Sequence, residues 1–512
     1  MLSALIFIPI FGAILVSLWP SKVQQLRAVA LVVVALTLVV SGILISQFDI
    51  AQSGGQFQEF LPWLDSLGLT YRLSLDGISL PLVFINSLLG FIAIYSSSGN
   101  IARPRLYFSL MLLINAAVAG AFLAQNLLLF FIFYELELIP LYLLIAIWGG
   151  ARRGYAATKF LIYTAISGIL ILGAFLGLTW LSGAATFDYD VHMSQSLPLF
   201  QQFVLLGALL VGFGIKIPLF PFHTWLPDAH VEASTPVSVL LAGVLLKLGT
   251  YGLLRFGLGL FPVAWTILAP GLATWAAISV LYGSLAAIAQ QDMKKMVAYS
   301  SIGHMGYVLL ACAAATPLSI LGTVFQMISH GLISALLFLL VGIVYKKTGT
   351  RDLQVLRGLL NPERGLPLVG SLMVLGVMAS AGIPGMVGFI SEFLVFRGSI
   401  VSFGPQTLLC MVGSGLTAVY FLLLVNRAFF GRLSIGPVTK PEEIDLCLPS
   451  VQWSERIPAI ALALLITFCG LQPELITRWT ENTTTALVQS LPTAIAQISE
   501  LACTSPVEDC PL

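Results

Sequence analysis

Apolar stretches about as long as a bilayer is thick recur along this whole chain, and that repetition constrains it more than anything else. A spanning helix needs roughly 20 apolar residues. Lipid offers the backbone no hydrogen-bond partner, so only helices or closed barrels cross it. Fourteen stretches can be read, at 2–19, 27–46, 78–98, 105–123, 126–148, 157–180, 201–221, 235–256, 263–289, 294–313, 317–345, 366–400, 405–430 and 456–476. The first has no basic leader and no small-residue cleavage site, so it reads as a span rather than a signal peptide. Composition agrees: 58% of residues are hydrophobic and only 9% charged, where a soluble domain carries roughly 25%. A net charge of +1 leaves no electrostatic footprint for nucleic acid. A secreted domain, a nucleic-acid binder and a cytosolic enzyme are all excluded. The expected class is an all-α, polytopic membrane protein.

Two of the spans are interrupted, the seventh by Pro218 and Pro221 and the twelfth by Gly382, Pro384, Gly385 and Gly388. The prolines remove amide donors and should free the carbonyls of Gly214 and Ile217. Between spans two and three, the alternation of Leu69-Thr-Tyr-Arg-Leu predicts a short hairpin. The mixed segment after Gly470 predicts one amphipathic helix. Of the 24 lysines and arginines, 18 fall in odd-numbered loops and only Arg72, Arg255 and Arg397 in or beside even-numbered ones. The positive-inside rule then makes the odd loops cytoplasmic and turns both termini outward. Six cysteines show no CxxC or other cluster, which removes iron–sulfur and structural zinc sites. Cys503 and Cys510 share the outward tail, where a disulfide can form or both thiols can stay free. With no P-loop and no GxGxxG after a strand, the chain has no nucleotide site and no electron carrier of its own.

The informative residues are the ionisable ones at depth, because a charge at mid-membrane costs about 2.5–3.5 kcal/mol even on insertion scales. Glu135 lies mid-span in the fifth stretch. Glu137 is two residues on, about 200° round a regular helix, so the two should face different surroundings, one inward and one toward a helix partner or neighbouring subunit. Lys216 precedes the break in span seven, where freed backbone must meet protein or water. Lys247 is central in span eight, with Gly243 and Gly249 leaving room around it. Glu392 follows the second break. A buried lysine–glutamate pair titrates as a unit. Broken helices carrying ionisable residues in both halves of the chain point to inverted repeats. Among the histidines, His330 in span eleven is a candidate proton carrier near neutral pH. His223 and His230 read as residues that orient the seventh connection, and His304 as structural. Glu135, Lys216, Lys247, His330 and Glu392 together suggest a midplane row suited to proton relay through water.

These residues sit in motifs that resemble the antiporter-like membrane subunits of complex I: Phe-Tyr-Glu-Leu-Glu-Leu-Ile-Pro-Leu-Tyr, Lys216-Ile-Pro, His223-Thr-Trp-Leu-Pro-Asp-Ala-His230, Leu-Leu-Ala-Gly-Val-Leu-Leu-Lys247, Ala298-Tyr-Ser-Ser-Ile-Gly-His-Met-Gly and Gly382-Ile-Pro-Gly. The likeness is to D-type subunits of the photosynthetic NAD(P)H dehydrogenase-like complexes and runs over most of spans four to thirteen. It implies fourteen helices. It divides the chain into N-terminal helices at 1–104, inverted five-helix repeats at 105–256 and 257–430, and a last helix with its tail at 431–512. It implies Glu135 as the partner of Lys216, Lys247 as the connecting lysine and Glu392 as the twelfth-helix group. It also implies a translocase subunit that pumps protons, driven by plastoquinone reduction and iron–sulfur clusters held in partner subunits, with no cofactor in this chain. One departure is Ser-Ile-Gly-His304, where relatives often read Ser-Ile-Ser-His. Glu-Leu-Glu in span five favours the photosynthetic branch and a thylakoid membrane. Implied partners are sister antiporter-like subunits, lipids and, in one specialised form, a CO2-hydration module. Two other readings stay open: a D-type subunit of a multi-subunit cation/proton antiporter, and a scaffold whose charges hold its neighbours.

Overall fold

Helix runs through every stretch expected to span, because these segments can satisfy their backbone only internally. The computed structural model describes residues 1–19, 22–436 and 448–503. The N-terminal part holds α1 (Leu2–Leu18), α2 (Val23–Gln47), a hairpin of β1 (Gln56–Leu64) and β2 (Leu69–Leu75), and α3 (Ser79–Tyr95). Next come α4 (Pro104–Leu123), α5 (Leu127–Leu136), α6 (Leu138–Trp148), α7 (Arg153–Ser182), α8 (Leu199–Lys216), α9 (Trp225–Glu232), α10 (Thr235–Leu240) and α11 (Leu246–Gly252). The second half holds α12 (Pro262–Ile288), α13 (Met293–Ala314), α14 (Pro317–Thr348), α15 (Pro367–Ser380), α16 (Val387–Ser399) and α17 (Gly404–Phe429). It closes with α18 (Trp453–Leu471) and α19 (Glu474–Cys503). Two short strands, β3 (Leu356–Arg357) and β4 (Ser434–Ile435), pair antiparallel and tie the loop after α14 to the loop after α17.

Among the described residues, eleven helices are long and apolar enough to cross a membrane, and α1, α3 and α15 are shorter apolar helices. The continuous helical segment Thr235–Leu258 is buried except at Thr235 and Arg255, and α14 is nearly so, so these two form the axis around which the rest packs. Gly243 and Gly331 let them meet: a Cβ at Gly331 would stand 2.8 Å from the Gly243 carbonyl. Small residues at such a contact are how helices approach closely in lipid. At the periphery, α2 turns Val32, Leu36, Val39 and Ile43 outward, an apolar face for acyl chains rather than water.

Three local features differ from the regular helices the sequence suggested. Span five breaks at Glu137, between α5 and α6. Pro140 has no N–H to give the Leu136 carbonyl, which loosens the turn there. Span eight is not uniform: π-helical turns at Leu241–Leu245 and Leu253–Leu258 flank α11. The third concerns the carbonyls at the span-seven break, which are not all left free. The Leu219 amide reaches back to the Gly214 carbonyl at 2.8 Å, and the Trp225 indole donates to the Ile215 carbonyl at 2.8 Å. The hairpin and the amphipathic tail helix both form. α19 lies against α3, α12 and α14, donating from Asn482 to the Ile50 carbonyl at 2.7 Å and accepting at Thr483 from the Gly77 amide at 3.1 Å. Cys510 lies outside the described residues, and with it the choice between a Cys503–Cys510 bond and two free thiols.

Candidate functional site: a buried row of ionisable groups

The row starts where two broken helices face each other. Lys216 is the last residue of α8, and its ammonium is in direct contact with the Glu137 carboxylate; both side chains are buried. The Tyr134 ring lies 4.8 Å from the ammonium, and its hydroxyl meets Ser167 at 3.1 Å. Ser167 donates to the Gly212 carbonyl at 2.7 Å, tying α7 to α8. The expected pairing of Lys216 with Glu135 is therefore corrected. Glu135 is half-buried against Gly168 of α7 and acts on Lys216 through its charge, while Glu137 makes the contact. The two glutamates do face different surroundings, Glu137 inward to the Lys216 ammonium and Glu135 toward the neighbouring helix α7. The chain breaks at Glu137, and both carboxylates bear on one ammonium. The second carboxylate oxygen of Glu137 has no partner among the described residues.

Lys247 stands in α11 between the two π turns. Gly249, two residues on, packs against the Lys216 side chain: a Cβ there would lie 3.1 Å from the Lys216 Cβ. The Lys247 ammonium donates to the Ala242 carbonyl at 2.5 Å, within the first π turn, and meets His330 Nδ1 of α14 at 2.7 Å. No carboxylate pairs with it among the described residues. A π turn inside a helix frequently marks a functional position, and here it turns a backbone carbonyl toward a buried cation. A lysine donating to Nδ1 implies that neutral His330 carries its proton on Nε2. That nitrogen is buried without a partner among the described residues.

Beyond His330 the row reaches His304 of α13, with ring centres 5.7 Å apart. His304 Nδ1 stands 3.8 Å from the Glu392 carboxylate and 3.5 Å from Gln326, and Nε2 contacts the Ser380 hydroxyl at 3.1 Å. Glu392, on α16 just after the break, accepts from Ser414 at 2.6 Å. Gly382, at φ +69°, leaves space beside that carboxylate. His304, His330, Ser391 and Glu392 line one small cavity of about 10 Å³, close to the space a single water needs. The structure thus brings Lys247, His330 and Glu392 into one connected cluster and adds His304, which the sequence reading assigned to packing. The signal available in the sequence was its position between Gly303 and Gly306, small residues that draw α12 and α13 together. His223 contacts Tyr282 at 3.2 Å, and His230 stacks on Phe338 at 4.4 Å between ring centres.

Residues 124–417, which contain this whole row, match the family described as NADH:quinone oxidoreductase/Mrp antiporter, transmembrane. The chain belongs to that family. Curated relatives include NAD(P)H-quinone oxidoreductase chain 4 proteins. One from a Synechococcus species is 42% identical over 97% of this chain and 95% of its own. One from a Synechocystis species is 40% identical over 98% and 94%. Among solved structures, a chain of respiratory complex I from Thermus thermophilus superposes with a TM-score of 0.84 at 27% identity, covering 96% of this chain and all of that one. A chain of the Mrp complex from a Dietzia species superposes at 0.83 over 97% and 98%. At 20% identity, the second likeness shows the fold alone. The family and the apolar helices make this an integral, multi-pass membrane protein, built as the subunits of such complexes are.

Proposed function

We propose that this chain is a proton-translocating membrane subunit of a photosynthetic-type NAD(P)H–quinone oxidoreductase, moving protons along its buried row while electrons pass elsewhere in the complex. The observation that carries the reading is Lys247: a buried ammonium held by a carbonyl and a histidine, with no carboxylate paired to it among the described residues. A charge that served only architecture would be expected to have a counter-ion at this depth. A proton leaving the Lys247 ammonium for His330 Nδ1 converts the pair to neutral amine and imidazolium. The imidazolium can release its Nε2 proton into the cavity shared with His304 and Glu392, where one water suffices to bridge them. At the other end, opening the Lys216–Glu137 contact changes the field that Lys247 experiences, since nearby charges set which protonation state is favoured. Protons would enter on the side of the odd loops near Glu135, Glu137 and Lys216, cross by Lys247 and His330, and leave past Glu392.

The same reading carries fourteen spans in two inverted repeats, 105–256 and 257–430, supported by the helix breaks at Lys216 and Gly382–Gly385. A thylakoid-type membrane with lumenal termini is supported by the charge asymmetry of the loops and by the cyanobacterial relatives. Its partners would be sister antiporter-like subunits and the quinone-reducing, iron–sulfur-bearing arm, with a CO2-hydration module added in one specialised form. The test is native-gel migration of the tagged chain from mildly solubilised membranes, followed by proton pumping per electron in K247A. Co-migration with quinone-reducing subunits and loss of pumping in an assembled complex is the expected result. Unchanged pumping in assembled K247A overturns it.

A further inference from the structure

Away from the buried row, the three odd-numbered loops after α12, α14 and α17 meet in a cleft of about 870 Å³, next to the β3–β4 ribbon. That volume lies in the range of small-molecule sites. Its lining includes Arg357, Arg427 and Arg432 with Gln291, Gln354 and Asn426, and among the described residues no carboxylate. Among the described residues, none of the three arginines has an ion pair. Arg427 lies in the last turn of α17, so the cleft opens where a spanning helix meets the aqueous face. The outer face of α17 leads straight to it. Leu408, Val412, Val419 and Leu422 are exposed at helical spacing, Asn426 continues the same stripe into the cleft, and exposed Phe430 sits at its rim.

We propose that this cleft is a binding site for an anionic lipid, with the phosphate or sulfonate headgroup held by Arg357, Arg427 and Arg432 and an acyl chain lying along the α17 stripe. Guanidinium groups match tetrahedral oxyanions through paired N–H donors, and basic pockets at the cytoplasmic ends of spanning helices are where acidic headgroups settle. The amides of Gln291, Gln354 and Asn426 add neutral donors for headgroup hydroxyls. The continuous apolar stripe distinguishes a lipid from a soluble anion, which has no use for it. The proposal rests on this geometry alone and does not depend on proton translocation.

The test uses the intact complex reconstituted in phosphatidylcholine vesicles carrying a photoactivatable phosphatidylglycerol or, separately, a photoactivatable phosphatidylcholine. Peptides covering 408–436 should take up the phosphatidylglycerol probe in about tenfold excess, and the R357Q/R427Q/R432Q variant should lose that excess. The triple lysine variant, which keeps the charge, should retain most of it. If the glutamine variant does not assemble, the three single variants carry the test, each lowering the excess by about half. Equal labelling by the two probes in the parent overturns the proposal. So does suppression by millimolar inorganic phosphate, which would make the site one for a free anion. An excess untouched by arginine removal also overturns it.

Discussion

At the scale of single residues, the decisive geometry is the contact between Lys216 and Glu137, with Glu135 one step removed. Breaking a buried ion pair from one side leaves an uncompensated charge and costs about 3–5 kcal/mol. E137Q should therefore lower the thermal stability of the solubilised complex more than E135Q does, and E137Q/K216M should recover part of the loss. An equal effect of the two single substitutions would remove Glu137 from this role. For transport, K216A in an assembled complex should reduce proton pumping per electron by the share this subunit contributes beside its sister subunits, as read by a pH-sensitive dye in vesicles. Sequence alone brought Lys216, Lys247 and Glu392 to notice because charge at depth is costly and beside a break it is informative. It missed the Glu137 contact because helical wheel arithmetic separates the two carboxylates without saying which of them a distant helix will bring Lys216 to. It missed His304 because an imidazole's role is set by what other helices bring to it, here Glu392 and Ser380.

Elements show the same division between what is local and what is not. Proline and glycine announced the breaks in the seventh and twelfth spans, since their backbone effects need no tertiary context. The π turns around Lys247 had no such signal: the leucine, alanine, glycine and valine of the first fit any helix. Two predictions belong here. Gly388 sits where α16 crosses the end of α15, and a Cβ there would fall 1.8 Å from the Ala379 carbonyl, whereas Gly415 of α17 has open space. G388A should destabilise the complex by about 1–3 kcal/mol, the usual cost of overpacking, and G415A should be close to neutral in the same thermal assay. The start of α3 is held by Asp76, which accepts from the Ile78 amide at 3.1 Å and the Ser79 amide at 2.9 Å and contacts Arg255. Burial works to raise the Asp76 carboxyl, but the Arg255 charge and the Ser79 hydrogen bonds hold it below its ordinary range. A carboxyl lowered on folding stabilises above its unfolded value, near pH 3.9, and that contribution fades as pH falls through the folded one. D76N should thus lower the melting temperature at pH 7 and matter progressively less on acidification. A deficit independent of pH would assign Asp76 to packing alone.

For the molecule as a whole, the apolar periodicity disclosed the class, because it reflects the bilayer rather than any one contact. The cleft framed by the loops after α12, α14 and α17 puts those three loops on one face, as an alternating count of spans requires. The arrangement of the helices around Thr235–Leu258 and α14 was not legible, as it depends on which small residues face each other. The contact of α19 with the segment before α3 has a consequence in time. Gly77 and Thr483 are 406 positions apart, and Ile50 and Asn482 are 432 apart. A ribosome has therefore delivered every intervening helix to the membrane before this clasp can close. Chains halted before Glu474 should carry a hairpin that proteases clip readily, and the completed chain one that resists them. The closing of that clasp would then mark the moment at which a newly made subunit becomes ready for assembly.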